Sequence, residues 1–143
     1  MKKKTDDIAA EIKNTGDIET YMRENSGEFS SVMFQRTLKQ LCGKSGLSQE
    51  TIAERSMLSH GFVNNLLNNA KKSRRDTVIK LAFGLGLNVD DTNRLLKLAG
   101  HGELYPRIER DAIILFCLNK GVSLIDTNIL LQKRLQVLLT SVS

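Results

Sequence analysis

The chain has 143 residues, a formal net charge of +5, 41% hydrophobic residues, no Trp and one Pro. That length suits one domain with a small appendage, and the scarcity of Pro beside abundant Leu, Ile, Ala, Lys, Glu and Asn favours helices over a turn-rich β domain. No run of about 18 apolar residues is available to span a membrane, and the basic start, Met1-Lys2-Lys3-Lys4, continues into Thr5-Asp6-Asp7 instead of the apolar stretch of a secretory signal.

Taken in chain order, Thr5 caps a short predicted helix over 5–14 and Asp17 a second over 18–25, together an acidic N-terminal arm, residues 1–30. Ser26-Gly27-Glu28 predicts a turn. Ser30 or Ser31 then caps a longer helix reaching Lys44, with Phe34, Leu38 and Leu41 as its core stripe. Ser48 caps a helix to about Ser56, and Ser59 caps another that ends near Asn68-Asn69. After the basic run Lys71-Lys72-Ser73-Arg74-Arg75 comes a helix from Asp76 to Leu85; Gly84 and Gly86 read as its stop and not as a phosphate loop. Asn88 to Leu98 is the next helix, and Gly100 to Pro106 a linker whose Pro106 opens a helix over 107–118. Gly121 stops that helix, and Ser123 caps a last one running to about Thr140.

Cys42 and Cys117 each fall singly in an apolar helical pattern. Their isolation points to reduced core thiols in a cytoplasmic protein, not to a disulfide or a zinc site. His60 and His101 also lack a metal-ligand partner at helical spacing. With no nucleophile–base–orienter set, no metal spacing and no phosphate loop, neither an enzyme nor a cofactor is expected.

A repeat with a 35-residue spacing runs through the second half. Arg75-Asp76 matches Arg110-Asp111, Ile79 matches Ile114, Gly86 matches Gly121, Asp91-Thr92-Asn93 matches Asp126-Thr127-Asn128, and Leu95-Leu96 matches Leu130-Leu131. Two helix pairs that each expose an apolar face can cover one another. The second copy is expected to be a helical extension of the main domain or a surface for a second subunit. Asp91 and Asp126 look paired only through the repeat, which capping or repeat packing explains better than acid–base chemistry.

The charge is uneven. Residues 1–30 hold five Lys/Arg against seven Asp/Glu, a balance of −2; residues 31–75 hold eight against two, +6; residues 76–143 hold eight against seven, +1. The basic excess therefore coincides with the two short helices at 48–69. A polyanion partner and a merely solvated helix face account for it equally well on charge alone. The residue types add to this. Amides suit base edges, because one side chain offers donor and acceptor together, and the helix after Ser59 carries His60, Asn64 and Asn65 on or near one face. Val63, Leu66 and Phe62 are expected to turn inward. Gln49 opens the preceding helix, where its amide and free backbone N–H groups can hold a phosphate. Ser59, Asn68, Lys71, Lys72 and Arg74 flank the face and can reach the backbone of a duplex.

Leu47-Ser48-Gln49-Glu50-Thr51-Ile52-Ala53-Glu54-Arg55 resembles the first motif helix of the XRE family, the lambdoid phage repressor and Cro class of helix-turn-helix proteins. The resemblance covers about residues 34–98. It implies that Gln49 opens the first motif helix, that Ala53 packs where the helices cross, that His60 and Gly61 form the base-touching pair, that Asn64 and Asn65 face the groove later in the helix, and that Asn68 holds phosphate. Lys80 to Leu87 resembles the family's fourth helix with its glycine stop. Met57 stands in the turn where that family usually has Gly, and a bulky residue in a left-handed turn costs about 1 kcal/mol. Gly61 lies inside the recognition helix, which weakens it by about 0.5–1 kcal/mol relative to Ala. The repeat at 107–140 lies outside the family pattern.

The expected fold is thus all-α: an N-terminal helical arm (1–30), a lambda-repressor-like five-helix DNA-binding domain (31–100) and a C-terminal helical hairpin (101–143). The expected function is sequence-specific double-stranded DNA binding as a transcriptional regulator. A homodimer is expected, formed through 107–140 or 88–106, so that two recognition helices enter successive major grooves about 34 Å apart. The rival expectation is a protein-interaction module in which the helix-turn-helix is scaffold and the C-terminal hairpin binds another chain.

Overall fold

The computed structural model describes Ile18 and residues 26–140, and among these every regular element is a helix. The helices are α1 (Ser26–Ser45), α2 (Gln49–Arg55), α3 (His60–Asn68), α4 (Arg75–Leu85), α5 (Val89–Leu98), α6 (Glu109–Lys120) and α7 (Leu124–Lys133). The helices expected over 5–14 and 18–25 lie outside the described residues, Ile18 excepted. No described helix is long and apolar enough to cross a membrane.

The caps follow the sequence closely. Ser48, Ser59, Asn88 and Ser123 each accept a hydrogen bond from the backbone N–H three residues on, satisfying one orphan donor of α2, α3, α5 and α7. Three boundaries differ from expectation. Helix α1 already includes Ser26, Gly27 and Glu28, where a turn was expected, so Ser30 and Ser31 lie inside it and not at its N-cap, and Phe34, Thr37 and Leu38 bury its inner face. Pro106 does not open α6. It sits second in a turn closed by the Ile108 N–H to the Tyr105 carbonyl (3.0 Å), a place its fixed φ suits, and α6 starts at Glu109. Helix α7 ends at Lys133, short of Thr140. Leu135 takes the left-handed conformation (φ 58°), and the Gln136 N–H returns to the Leu131 carbonyl, which closes the helix.

Helix α4 is the centre. Every residue from Val78 to Leu85 except Lys80 is buried, a continuous apolar run that must be covered on all sides. Helix α2 covers one side, α5 another and α1 a third, and α7 reaches it from the C-terminal half. The α2–α4 crossing is close. A Cβ added at Gly84 would fall 1.8 Å from Ser56 Oγ and 2.9 Å from the Ile52 carbonyl oxygen, so glycine is what lets α2 lie this near. Ser56 itself is fully buried, and its hydroxyl has no hydrogen-bond partner.

The 35-residue repeat becomes two interlocked units, α4–α5 and α6–α7, each followed by a strap. Across the join α4 meets α7 and α5 meets α6, so exchanging the units maps each contact onto the other. The charges exchange in the same way. Arg75 grips Asp111 through two hydrogen bonds (3.0 and 2.8 Å), and Arg110 grips Asp76 through two (both 3.0 Å). Equivalent guanidinium groups also hold equivalent straps: Arg75 donates to the Glu103 carbonyl and Arg110 to the Leu138 carbonyl. The Oδ1 atoms of Asn93 and Asn128 accept from the N–H groups of Leu104 and Leu139, both at 2.9 Å, and seat those two leucines in the core. This is the self-complementary logic of a two-fold contact, built within one chain.

Both Cys42 and Cys117 are free thiols, and burial pushes Cys42 up to about 11, so it stays protonated at neutral pH.

Two stability outcomes are expected in urea unfolding. Gly84→Ala should destabilise by about 1–3 kcal/mol despite the better helix propensity of Ala, because α2 must move away. Arg75→Ala should cost about 2 kcal/mol, less than a wholly buried pair because Arg75 is part-exposed, but still substantial because Asp111 is left buried with its charge.

Candidate nucleic-acid interface

Helices α2 and α3 are joined by a tight turn through Met57, which is left-handed at φ 54°. The Leu58 N–H reaches the Ala53 carbonyl (2.9 Å) and the Met57 N–H the Glu54 carbonyl (3.1 Å), the same crossed pair that glycines make at the ends of α4 and α6. Methionine thus adopts the turn that a glycine usually makes, and the turn keeps its shape. The Met57 side chain is exposed, and its sulfur accepts a long contact from the Thr140 hydroxyl (3.7 Å), so the last described residue of the second unit rests against the turn.

Helix α3 divides cleanly. Val63, Leu66 and Leu67 are buried against the core at i, i+3 and i+4. His60, Gly61, Asn64, Asn65 and Asn68 are all exposed. Gln35 on α1 donates to the Leu67 carbonyl (2.9 Å), which fixes the C-terminal end of α3. The amides are not loose. Asn68 Nδ2 donates to the Asn64 carbonyl (2.9 Å) and side-chain oxygen (3.1 Å), and Asn69 makes the same pair of contacts with Asn65. These links restrict the rotamers of Asn64 and Asn65 and leave their NH2 groups unused, so the face presents donors at fixed positions.

Phe62 departs from expectation. It is 39% exposed and not turned into the core, because Val63, Leu66 and Leu67 already fill the inward stripe and position 62 falls at its edge. Its ring carries Lys71 Nζ 5.9 Å from the centroid, an arrangement that holds the lysine over an apolar surface. Together with Leu58 and Leu66, Phe62 floors a groove of about 410 Å³ whose lining includes Lys71, Lys72, Arg74 and Lys80 and no carboxylate. The loop carrying the first three cations is tied down at Ser73, which is buried and whose carbonyl accepts from His101 Nε2 at 2.6 Å. Lys80 and His101 are contributors that sequence reasoning did not assign. Lys80 is the one polar residue in an otherwise buried stretch of α4, which is the signal that marked it. His101 carries no such signal, since its partner is a backbone atom 28 residues away.

The remaining phosphate candidates lie in two places. Gln49 and Asn68 border one shallow depression with Lys39. Ser59 is exposed and engaged as the cap of α3, accepting from the Phe62 N–H (3.1 Å). The structure therefore brings His60, Gly61, Asn64 and Asn65 onto one open face, with Gln49, Ser59 and Asn68 around it, and sets Lys71, Lys72 and Arg74 in the loop that follows α3. Among the described residues no three His, Cys, Asp or Glu side chains come together as metal ligands would.

Comparison of the chain with protein-family models, with curated proteins and with solved structures finds no match.

Gly61 has no internal reason to be glycine. A Cβ there meets nothing within 4 Å, and its φ is not among the positive values. Gly61→Ala should therefore raise the unfolding free energy by about 0.5–1 kcal/mol, read as an upward shift of the urea midpoint.

Proposed function

We propose that the protein is a sequence-specific double-stranded DNA-binding regulator of the XRE helix-turn-helix kind, with a lambda-repressor-like arrangement over residues 31–100 and α3 as the helix that enters the major groove. The observation that carries the reading is the exposed amide face of α3, ordered by its own i,i+4 hydrogen bonds and followed by a carboxylate-free cationic groove. Phosphates would be held by Gln49, Ser59, Asn68, Lys71, Lys72 and Arg74, and base edges by His60, Asn64 and Asn65. The unused NH2 groups of Asn64 and Asn65 suit acceptors such as guanine N7 and O6 or thymine O4. Gly61 supports the same reading, because an open glycine early in α3 allows backbone to approach a base edge at a cost to the helix that nothing inside the molecule repays.

Regulation by this route is occupancy of an operator, not catalysis. A single module buries little surface, and two copies on successive half-sites supply the rest.

The test is selection of bound sites from a random duplex pool, followed by affinity measured across salt concentrations. Replacing Lys71, Lys72 and Arg74 together with Ala should weaken all sequences alike and flatten the log–log salt slope by about 3. Asn64→Ala and Asn65→Ala should instead change the ranking among sites, by about 1–3 kcal/mol at the affected base pairs. Gly61→Ala should bind DNA more weakly while folding more stably, a combination that a purely structural glycine does not produce. Failure to enrich any site, with no salt dependence and with a protein partner recovered through the C-terminal hairpin, would replace the regulator by an interaction module.

A further inference from the structure

The groove beside α3 holds more than a phosphate clamp requires. Its cations, Lys71, Lys72, Arg74 and Lys80, stand around a floor of Leu58, Phe62 and Leu66, and no carboxylate lines it. Phosphate oxygens are held by ammonium, guanidinium and N–H groups and gain nothing from an aromatic ring or an aliphatic floor. Phe62 is nevertheless exposed in that floor, and Lys71 is drawn over its ring. A hollow that is apolar at the bottom and positive at the rim fits a ligand of the reverse pattern, an apolar edge with carboxylates beside it.

The chain carries such a segment. From Thr5 to Asn25 the sequence has six carboxylates, Asp6, Asp7, Glu11, Asp17, Glu19 and Glu24, against Lys13 and Arg23, a balance of −4. On the helix predicted over 5–14, Asp7 and Glu11 fall one turn apart and so do Ile8 and Ile12, which sets an acidic edge beside an apolar one. The place where this segment meets the described fold is next to the groove. Lys71 and Lys72 also line a second depression, of about 160 Å³, together with Ser30, Ser31 and Phe34 of α1. The two lysines therefore border both the Phe62 floor and the first half of α1. Residues 15–25 extend to about 36 Å at full stretch, roughly the diameter of a small domain, so the span is not limiting.

We infer that this groove is the docking site of residues 5–14 of the same chain, with Ile8 and Ile12 on the floor of Leu58, Phe62 and Leu66 and with Asp7 and Glu11 against Lys71 and Lys72. The tether supplies what the contact lacks by itself. Exposed ion pairs are individually weak and screened by salt, but a short linker presents the segment at millimolar effective concentration. A groove filled in this way has no lysines to spare for a duplex, so the acidic segment must leave before phosphates bind. That consequence rests on the operator reading; the docking itself is defined without DNA.

The experiment is cross-linking of the dilute full chain, without DNA, by a water-soluble carbodiimide, which joins a carboxylate to a lysine amine in contact with it. Peptide mass mapping of the monomer then reads the links. The wild type should join Asp7 or Glu11 to Lys71 or Lys72, and high salt should suppress the product. Ile8→Ser with Ile12→Ser keeps every reacting group and the net charge, and should cut the yield about tenfold. Phe62→Ser should do the same from the groove side, with circular dichroism checking the fold of each variant. A wild type without these links, links formed only between two copies, or a yield indifferent to the loss of the isoleucines would each overturn the inference. Affinity for a duplex of arbitrary sequence supplies the second arm. The Ile8, Ile12 variant should bind it about tenfold more tightly than the wild type at equal charge, and equal affinity would also overturn the inference. Links found in a protein that binds no duplex would leave the docking standing and remove the operator reading.

Discussion

The packing of α4 is the constraint on which the rest of this molecule depends. Val78, Ile79, Leu81 and Ala82 are completely buried, so the helix needs neighbours in every direction. Helices α1, α2 and α5 supply some, and the helix-turn-helix is thereby placed, since α2 seats against Gly84 and α3 hangs from α2 and α1. Helix α7 supplies the remainder from the second unit. One helix is thus core to the candidate reading head and core to the repeat at once. The exposed face of α3 is positioned by contacts that lie on its opposite side, which leaves the amide side chains free of any packing duty.

The repeat extends this economy. A helix pair whose Arg and Asp stand side by side at the head of its first helix can bind a second such pair by exchange, each arginine taking the other's aspartate. The charges are satisfied bidentately, and the same guanidinium groups tie down the straps. This arrangement orders about half of the described chain with very few residue types. The deep burial of Asp111 against the partial exposure of Asp76 shows that the two halves are no longer equal.

Much of this was legible in the sequence, for reasons that differ by element. Caps are local chemistry, and Ser48, Ser59, Asn88 and Ser123 announce themselves within three residues. The apolar stripes of α1 and α4 and the 35-residue repeat needed only periodicity. What escaped was what depends on distant partners. Pro106 suits a helix start and a turn equally, and the choice is made by the strap around it. The early stop of α7 is invisible because Leu135 is not a residue that normally ends a helix; the same turn was foreseeable at Gly86 and Gly121. Phe62 was misassigned since an aromatic at the edge of a stripe looks like core until the stripe is seen to be full. The surface cluster of Lys71, Lys72 and Arg74 was evident from charge, and Lys80 stands out as the one polar residue of its apolar stretch, whereas the His101 tether appears only in three dimensions.

The unpaired hydroxyl of Ser56, sealed beneath Gly84, has a consequence for how α2 can move. Both residues are small, and together they let two helices come into close contact. Such a seam has no slack for one helix to slide over the other, so α2 and α4 turn as a single rigid piece.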